Sequence, residues 1–203
     1  MPVREIREPK QKRSIEKKNR IKTAALQLIS EIGYHDANTN KIAERAGVNI
    51  ATLYSYYSDK KMIFLELLED FQKIYYERVY SNEIETACFR GAVRDCLVNA
   101  IDAFDGYEAV FREGYLLQCR DDDFAGVNRR WEELEIEGIK NLLERLEPEF
   151  RARDRAAAAV FIHSLVVSAV NRFILHGLPL SRDELADGLA DTICLYLRDK
   201  ARL

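Results

Sequence analysis

Apolar positions along this chain recur at spacings of three and four residues from residue 14 almost to its end, with no stretch of strict alternation. Ile21, Ala24, Ala25, Leu28, Ile29 and Ile32 form one stripe, opened by Ser14 as a cap with Glu16 in the first turn and closed by Gly33. Two short helices follow, Thr39–Ala46 and residues 50–57, broken at Gly47. Ser58 and Asp59 restart the chain, and a long amphipathic helix over 60–80 turns Phe64, Leu67, Leu68, Phe71, Ile74 and Tyr75 inward. Further helices are predicted over 84–104, 106–119 and 123–146, the last stopping before Pro148, and over 152–176, ending at Gly177 before Pro179. The capping box Ser181–Arg182–Asp183–Glu184 opens a last helix with Leu185, Leu189, Ile193 and Leu197 on one face. No strand pattern, internal repeat or low-complexity tract interrupts this series, so the expected fold is all-α.

The two short helices carry the first functional signal. Ile42, Ala43, Ala46, Val48, Leu53 and Tyr57 are spaced to pack them together across the Gly47 turn, as in a helix-turn-helix. Asn49, Ile50, Ala51, Thr52, Tyr54, Ser55 and Tyr56 then fall at the start and outer face of the second helix, where a helix seated in the DNA major groove reaches base edges. Thr39, at the start of the first helix, can offer its hydroxyl and nearby backbone N–H groups to a phosphate. Asn49 has two uses open to it, capping the second helix or reading DNA. Ile50, Ala51 and Thr52 present mainly methyl surface, and no arginine lies on this helix to grip a guanine, so phosphate contacts and DNA shape should carry much of the binding.

Charge sharpens that picture. The chain has 31 Lys and Arg against 34 Asp and Glu, but residues 1–62 hold 13 against 7 and the remainder 18 against 27. A basic head on an acidic body fits a protein that meets phosphate at one end only. Residues 1–13 read as a basic arm, which either tracks DNA or merely solubilises the chain. The boundaries predicted are therefore arm 1–13, DNA-binding head 14–62 and helical body 63–203.

The run Thr39, Ile42-Ala43, Ala46-Gly47-Val48, Ala51-Thr52-Leu53-Tyr54, Tyr56-Tyr57 and Lys60-Lys61 resembles the N-terminal domain of the tetracycline-repressor (TetR) family of transcriptional regulators. The likeness covers roughly residues 14–70. It implies that Tyr56 and Lys60 grip phosphates and that Tyr54 touches backbone or base. Ile50 departs from the polar or basic residue common in the family, and Tyr57 replaces the commoner Phe, an exchange that is harmless if its hydroxyl reaches water.

One recognition helix spans too few base pairs for specificity, so a homodimer on a palindromic operator is expected. Its seam is placed in 152–176 and 182–199, helices that build a four-helix dimer bundle in similar proteins. The resemblance also implies a small-molecule inducer, partly apolar, in a cavity among the middle helices. Phe104, Tyr107, Phe111, Tyr115, Trp131, Phe161 and His163 are the candidate lining, with plain core as the competing reading for each. The expected function is a repressor released by that ligand; in the alternative, the acidic body senses a protein partner.

No nucleophile elbow, phosphate loop or HExxH motif is present, so an enzyme is not expected, nor a cofactor. Asp121–Asp123 read as helix-start acids rather than as a metal site. Cys88, Cys96, Cys119 and Cys194 lack CxxC spacing and read as reduced thiols. With no apolar run of roughly 20 residues and no signal peptide, a cytoplasmic protein is expected, without membrane contact.

Overall fold

The computed structural model describes residues 12–80, 88–145 and 154–198. The basic arm up to residue 11, the start of the helix predicted from 84 and that of the helix predicted from 152 lie outside the described residues. The described chain is helical throughout: α1 (Lys12–Asp36), α2 (Thr39–Ala46), α3 (Ile50–Tyr56), α4 (Lys60–Tyr80), α5 (Phe89–Asp102), α6 (Glu108–Leu117), α7 (Asp122–Arg145), α8 (Arg155–His176) and α9 (Arg182–Arg198). The all-α expectation holds, and the bounds of α2 and α4 are those the pattern predicts.

The chain forms two compact units, Met1–Phe71 with Gly106–Val127, and Gln72–Asp105 with Asn128–Leu203. The first unit therefore recruits α6 and the opening of α7 in addition to the helix-turn-helix. Its core joins Ile21, Leu28, Ile42, Leu53, Ile63 and Phe64 to Val110, Phe124 and Val127. Phe64 ties the two sequence blocks together, its ring centroid lying 4.8 Å from Tyr34 and 5.6 Å from Phe124. Gly114 lets the Leu68 side chain approach closely, since a Cβ there would come within 2.8 Å of it. Lys61 pairs with Asp121 at 2.7 Å and Asp123 at 2.6 Å, so these acids serve as ion-pair partners.

In the second unit α5 and α9 run antiparallel, held by a ladder of alternating pairs. Arg90 meets Asp191 and Asp187, and Arg94 meets Asp187 and Asp183. Spacing of four residues on both helices puts these groups on facing sides. The Ser181 capping box forms as predicted, with Glu184 accepting from the Ser181 backbone N–H at 2.7 Å and hydroxyl at 2.8 Å.

Helix α8 corrects one expectation. An 18-residue window within it has a mean hydropathy of 1.8, enough by length and composition to cross a membrane, and only 28% of that window is buried. Polar groups interrupt the run at His163, Ser164, Ser168 and Asn171. Val160 and Phe161 are 48% and 50% exposed on this helix, and Leu195 on α9 is 65% exposed.

Candidate nucleic-acid interface

Backbone chemistry shapes the helix-turn-helix. Asn38 caps α2, its side chain accepting from the Lys41 N–H at 3.0 Å. The N–H groups of the preceding turn then have no intrahelical acceptor by helix geometry, and they sit at the positive end of the helix dipole. Gly47 ends α2 in the left-handed region at φ 61°, and its N–H and that of Val48 return to α2 carbonyls. Arg20 reaches across from α1 to donate to the Ala46 and Gly47 carbonyls, so a guanidinium fixes the turn from outside. The sequence reading missed Arg20; its only signal was an arginine one residue before the buried Ile21.

Asn49 caps α3. Its side-chain oxygen accepts from the Thr52 N–H at 2.7 Å, the capping use of the two that the sequence leaves open. Ala51, Tyr54 and Ser55 are exposed and Thr52 half-buried, as an outward face requires. The Tyr54 hydroxyl and Thr39 Oγ1 are 3.0 Å apart, so the start of α2 and the outer face of α3 form one hydrogen-bonding surface. The Ser55 hydroxyl is turned back onto the Thr52 carbonyl at 2.6 Å. Ile50 is half-buried and packs against the head core, which explains an apolar residue at this place.

Two of the expected phosphate grips are occupied otherwise. Tyr56 is buried rather than on the outer face, with its hydroxyl 2.8 Å from Ser14 Oγ. Ser14 lies inside α1, which is already helical at Lys12, so it bonds Tyr56 instead of capping. The reason is helical spacing: Tyr56 follows the buried Leu53 by three residues and so falls on the same, inward face of α3. Lys60 donates to three backbone carbonyls, Tyr34 at 2.7 Å, Ala37 at 2.9 Å and His35 at 3.0 Å, and its ammonium stands over the Tyr34 ring. Partial burial lowers its pKa. All three ammonium protons thus close the end of α1 where Gly33 breaks the helix at φ 78°. Tyr57 is buried as expected, yet its hydroxyl finds no hydrogen-bond partner among the described residues, so it does not reach water. Burial raises its pKa.

The expected ligand residues fall in both compact units, Tyr107, Phe111 and Tyr115 in the first and Phe104, Trp131, Phe161 and His163 in the second. Tyr107 and Phe111 stack near Phe71 within the first unit, and Tyr115 there is exposed. In the second unit Phe104 and Trp131 both pack on Tyr75, at 6.0 and 5.0 Å, while Phe161 stacks on Tyr196 with half its surface exposed. A cavity of about 80 Å³ does exist in this unit, lined by Tyr75, Val79, Tyr80, Cys96, Leu97, Ile139, Ile162, Val166 and others, none of them on the expected list. Burial pushes the Cys96 thiol there up to about 11, so it is an inert wall.

His163 is buried and its Nε2 lies 3.2 Å from the equally buried Glu135 carboxylate. The sequence reading missed Glu135 despite a visible sign. On α7 the stripe Phe124, Val127, Trp131, Glu135, Gly138, Leu142 places a carboxylate where an apolar residue is due.

Comparison with known proteins agrees with this geometry. Residues 21–67 match the model of bacterial regulatory proteins of the tetR family. A stretch of 64 residues is 37% identical to the fatty acid metabolism regulator protein of Bacillus subtilis, covering 32% of this chain and 33% of that protein. The chain spans about a third of the length of the curated relatives it matches. Over nearly the whole length the fold is similar to Salmonella enterica GusR, with a TM-score of 0.77 at 15% identity, covering 93% of this chain and 99% of that one. It is similar also to the fatty acid degradation regulator FadR of Bacillus halodurans, with a TM-score of 0.69 at 20% identity, covering 92% and 96%.

Proposed function

We propose that this chain, a member of the tetR family of bacterial regulatory proteins and a DNA-binding transcriptional regulator, is a repressor that clamps a palindromic operator as a homodimer and leaves it when a small apolar ligand binds. The observation that carries the reading is the joined surface of Thr39 and Tyr54 at the start of α2 and the outer face of α3, in the head whose sequence matches the family. Thr39, Tyr54 and the first-turn N–H groups of α2 would hold phosphates, and Ala51, Thr52 and Ser55 would face the bases. In this reading Asn49, Tyr56 and Lys60 act one step back, holding α3 and the end of α1 in place. Family and fold are those of transcriptional regulators rather than of enzymes.

The exposed apolar residues Val160 and Phe161 of α8 and Leu195 of α9 support a dimer seam. So does the poor burial of α8, because a helix this apolar is covered by protein or lipid, and a charged cap at Asp154 with a buried His163–Glu135 contact suits protein. The cavity supports a ligand, and α4, which contributes residues to both compact units, would carry its effect to the head. The test is selection of bound duplexes from a random pool, with the parent chain and with Phe161→Asp/Leu195→Glu. The reading expects a palindrome from the parent and, from the double variant, a monomer that selects no two-fold site. A non-palindromic consensus, or a variant that stays dimeric, would overturn it.

A further inference from the structure

Tyr56 and Lys60, the expected phosphate grips of the head, are engaged inside it, and the Thr39–Tyr54 surface carries no charge. Phosphate binding draws mainly on cations, so the head needs another source of them. Most of its lysines and arginines have internal partners. Lys18 and Lys22 pair with Glu66, Lys22 also with Asp70, Arg45 with Glu31 and Lys61 with Asp121. Arg20, Lys41 and Lys60 donate to backbone carbonyls. Among the described residues of the head, the lysines and arginines without such a partner are Lys12, Arg13 and Lys17, and all three are exposed.

Two contacts place this part of α1 against α3. Ser14 meets Tyr56, the last residue of α3, and Arg20 meets the Gly47 carbonyl, three residues before its first. The opening turns of α1 therefore run alongside α3 in the opposite sense. From residue 13 to residue 20 a helix rises about 10 Å, which is also about the length of the seven-residue α3. Arg13, Lys17 and Arg20, spaced by four and three, share one side of α1 next to Ser14. Lys12 is turned elsewhere: with Glu16, four residues on, it lines a groove that neither Arg13 nor Lys17 borders. Tyr54 and Tyr56, two residues apart, point about 200° apart around α3, one to Thr39 and the other to Ser14. The start of α2 and the start of α1 thus flank α3 on different sides, and a helix in the major groove has a phosphate strand on each side of it.

We propose that Arg13 and Lys17 form a second phosphate-binding site, on the α1 side of α3, which holds the DNA strand opposite to the one met by Thr39 and Tyr54. Arg20, tied to the turn, sets the distance between this pair and α3. The site meets backbone alone, so it adds affinity without reading sequence. This inference rests on the DNA-binding reading above and deepens it: the charge that anchors the head stands on α1 and not at Lys60.

The test is a titration of the full-length chain across a salt series, on its selected operator and on a scrambled duplex of equal length. Arg13→Gln/Lys17→Gln removes both charges and keeps helix-favouring side chains. Lys12→Gln removes one charge from the same turn on another side, and Arg13→Lys/Lys17→Arg keeps both charges. The proposal expects the glutamine pair to lose about two units of logarithmic salt slope on both duplexes, with the ratio of their affinities unchanged. Lys12→Gln should keep the parent slope, and the charge-keeping pair should restore it. An unchanged slope in the glutamine pair would overturn the site, as would an equal loss per charge in Lys12→Gln, since net charge alone would then account for it. A changed affinity ratio would also overturn it, because α3 would have moved or lost a base contact. If the parent selects no operator, or binds DNA without salt dependence, the DNA-binding reading itself falls. A steep parent slope left intact by the glutamine pair removes the α1 site alone.

Discussion

The ammonium of Lys60 lies 2.7 Å from the carbonyl oxygen of Tyr34 and also bonds the carbonyls of His35 and Ala37. The first residue of α4 thus closes the end of α1, where Gly33 leaves carbonyls with no helical partner. Charge-assisted bonds to partly buried carbonyls contribute more than neutral ones. Lys60→Met should lower stability by about 2 kcal/mol in chemical denaturation of the full chain. Lys60→Arg, which keeps the charge in a different shape, should recover part of it. Unchanged stability with weakened operator binding would assign Lys60 to phosphate instead.

Tyr57 offers a gain. Its hydroxyl is buried without a partner among the described residues, beneath the ammonium of Lys18 over its ring. Tyr57→Phe keeps the ring and removes the unsatisfied group, so the denaturation midpoint should rise, by about 1 kcal/mol in stability. A fall would mean that the hydroxyl has a partner, with Glu66 the nearest source of one.

The pair between Lys61 and Asp121 should set part of the acid limb. The hydrogen bond from Lys61 holds the Asp121 carboxyl below its ordinary value. For a depressed folded-state pKa the contribution is complete above the unfolded value, about 4, and is lost as pH falls through the folded one. The gap in thermal midpoint between parent and Lys61→Met should therefore be open at neutral pH and narrow in acid. A gap of equal width at both would point to the lost contact of the Lys61 ammonium with the Phe124 ring.

Helix positions and the helix-turn-helix were legible because they depend on local spacing and on Gly47, Asn49 and Ser181, whose chemistry acts within a few residues. What the sequence hid was the partner of each polar group. Tyr56 is expected on the outer face, yet it lies three residues after the buried Leu53, on the inward face, and meets Ser14, 42 positions away. Lys60 matches a phosphate-binding position and caps a helix 23 to 26 residues earlier. Rings at helical spacing on different helices meet one another: Tyr107 and Phe111 find Phe71, and Phe104 and Trp131 find Tyr75. The cavity of the second unit is lined mainly by aliphatic residues, which look no different in sequence from those filling a core.

Asn49 separates capping from base reading. Its oxygen is committed to the Thr52 N–H. Asn49→Ala should cost about 1 kcal/mol of stability and weaken binding to all DNA sequences alike, and Asn49→Ser should restore both. Loss of preference at one base pair, unrepaired by serine, would show instead that the amide reads DNA.

Sequence recognition by this head, anchored on phosphates, is tested most directly by a titration across a salt series on the operator selected by the protein, against a scrambled duplex of equal length. The expected result is an affinity ratio in the thousands and a steep fall of binding with salt on both duplexes, roughly one unit of slope per phosphate contact. Thr39→Val with Tyr54→Phe should make that slope shallower. Equal affinity for both duplexes, or binding indifferent to salt, would contradict it.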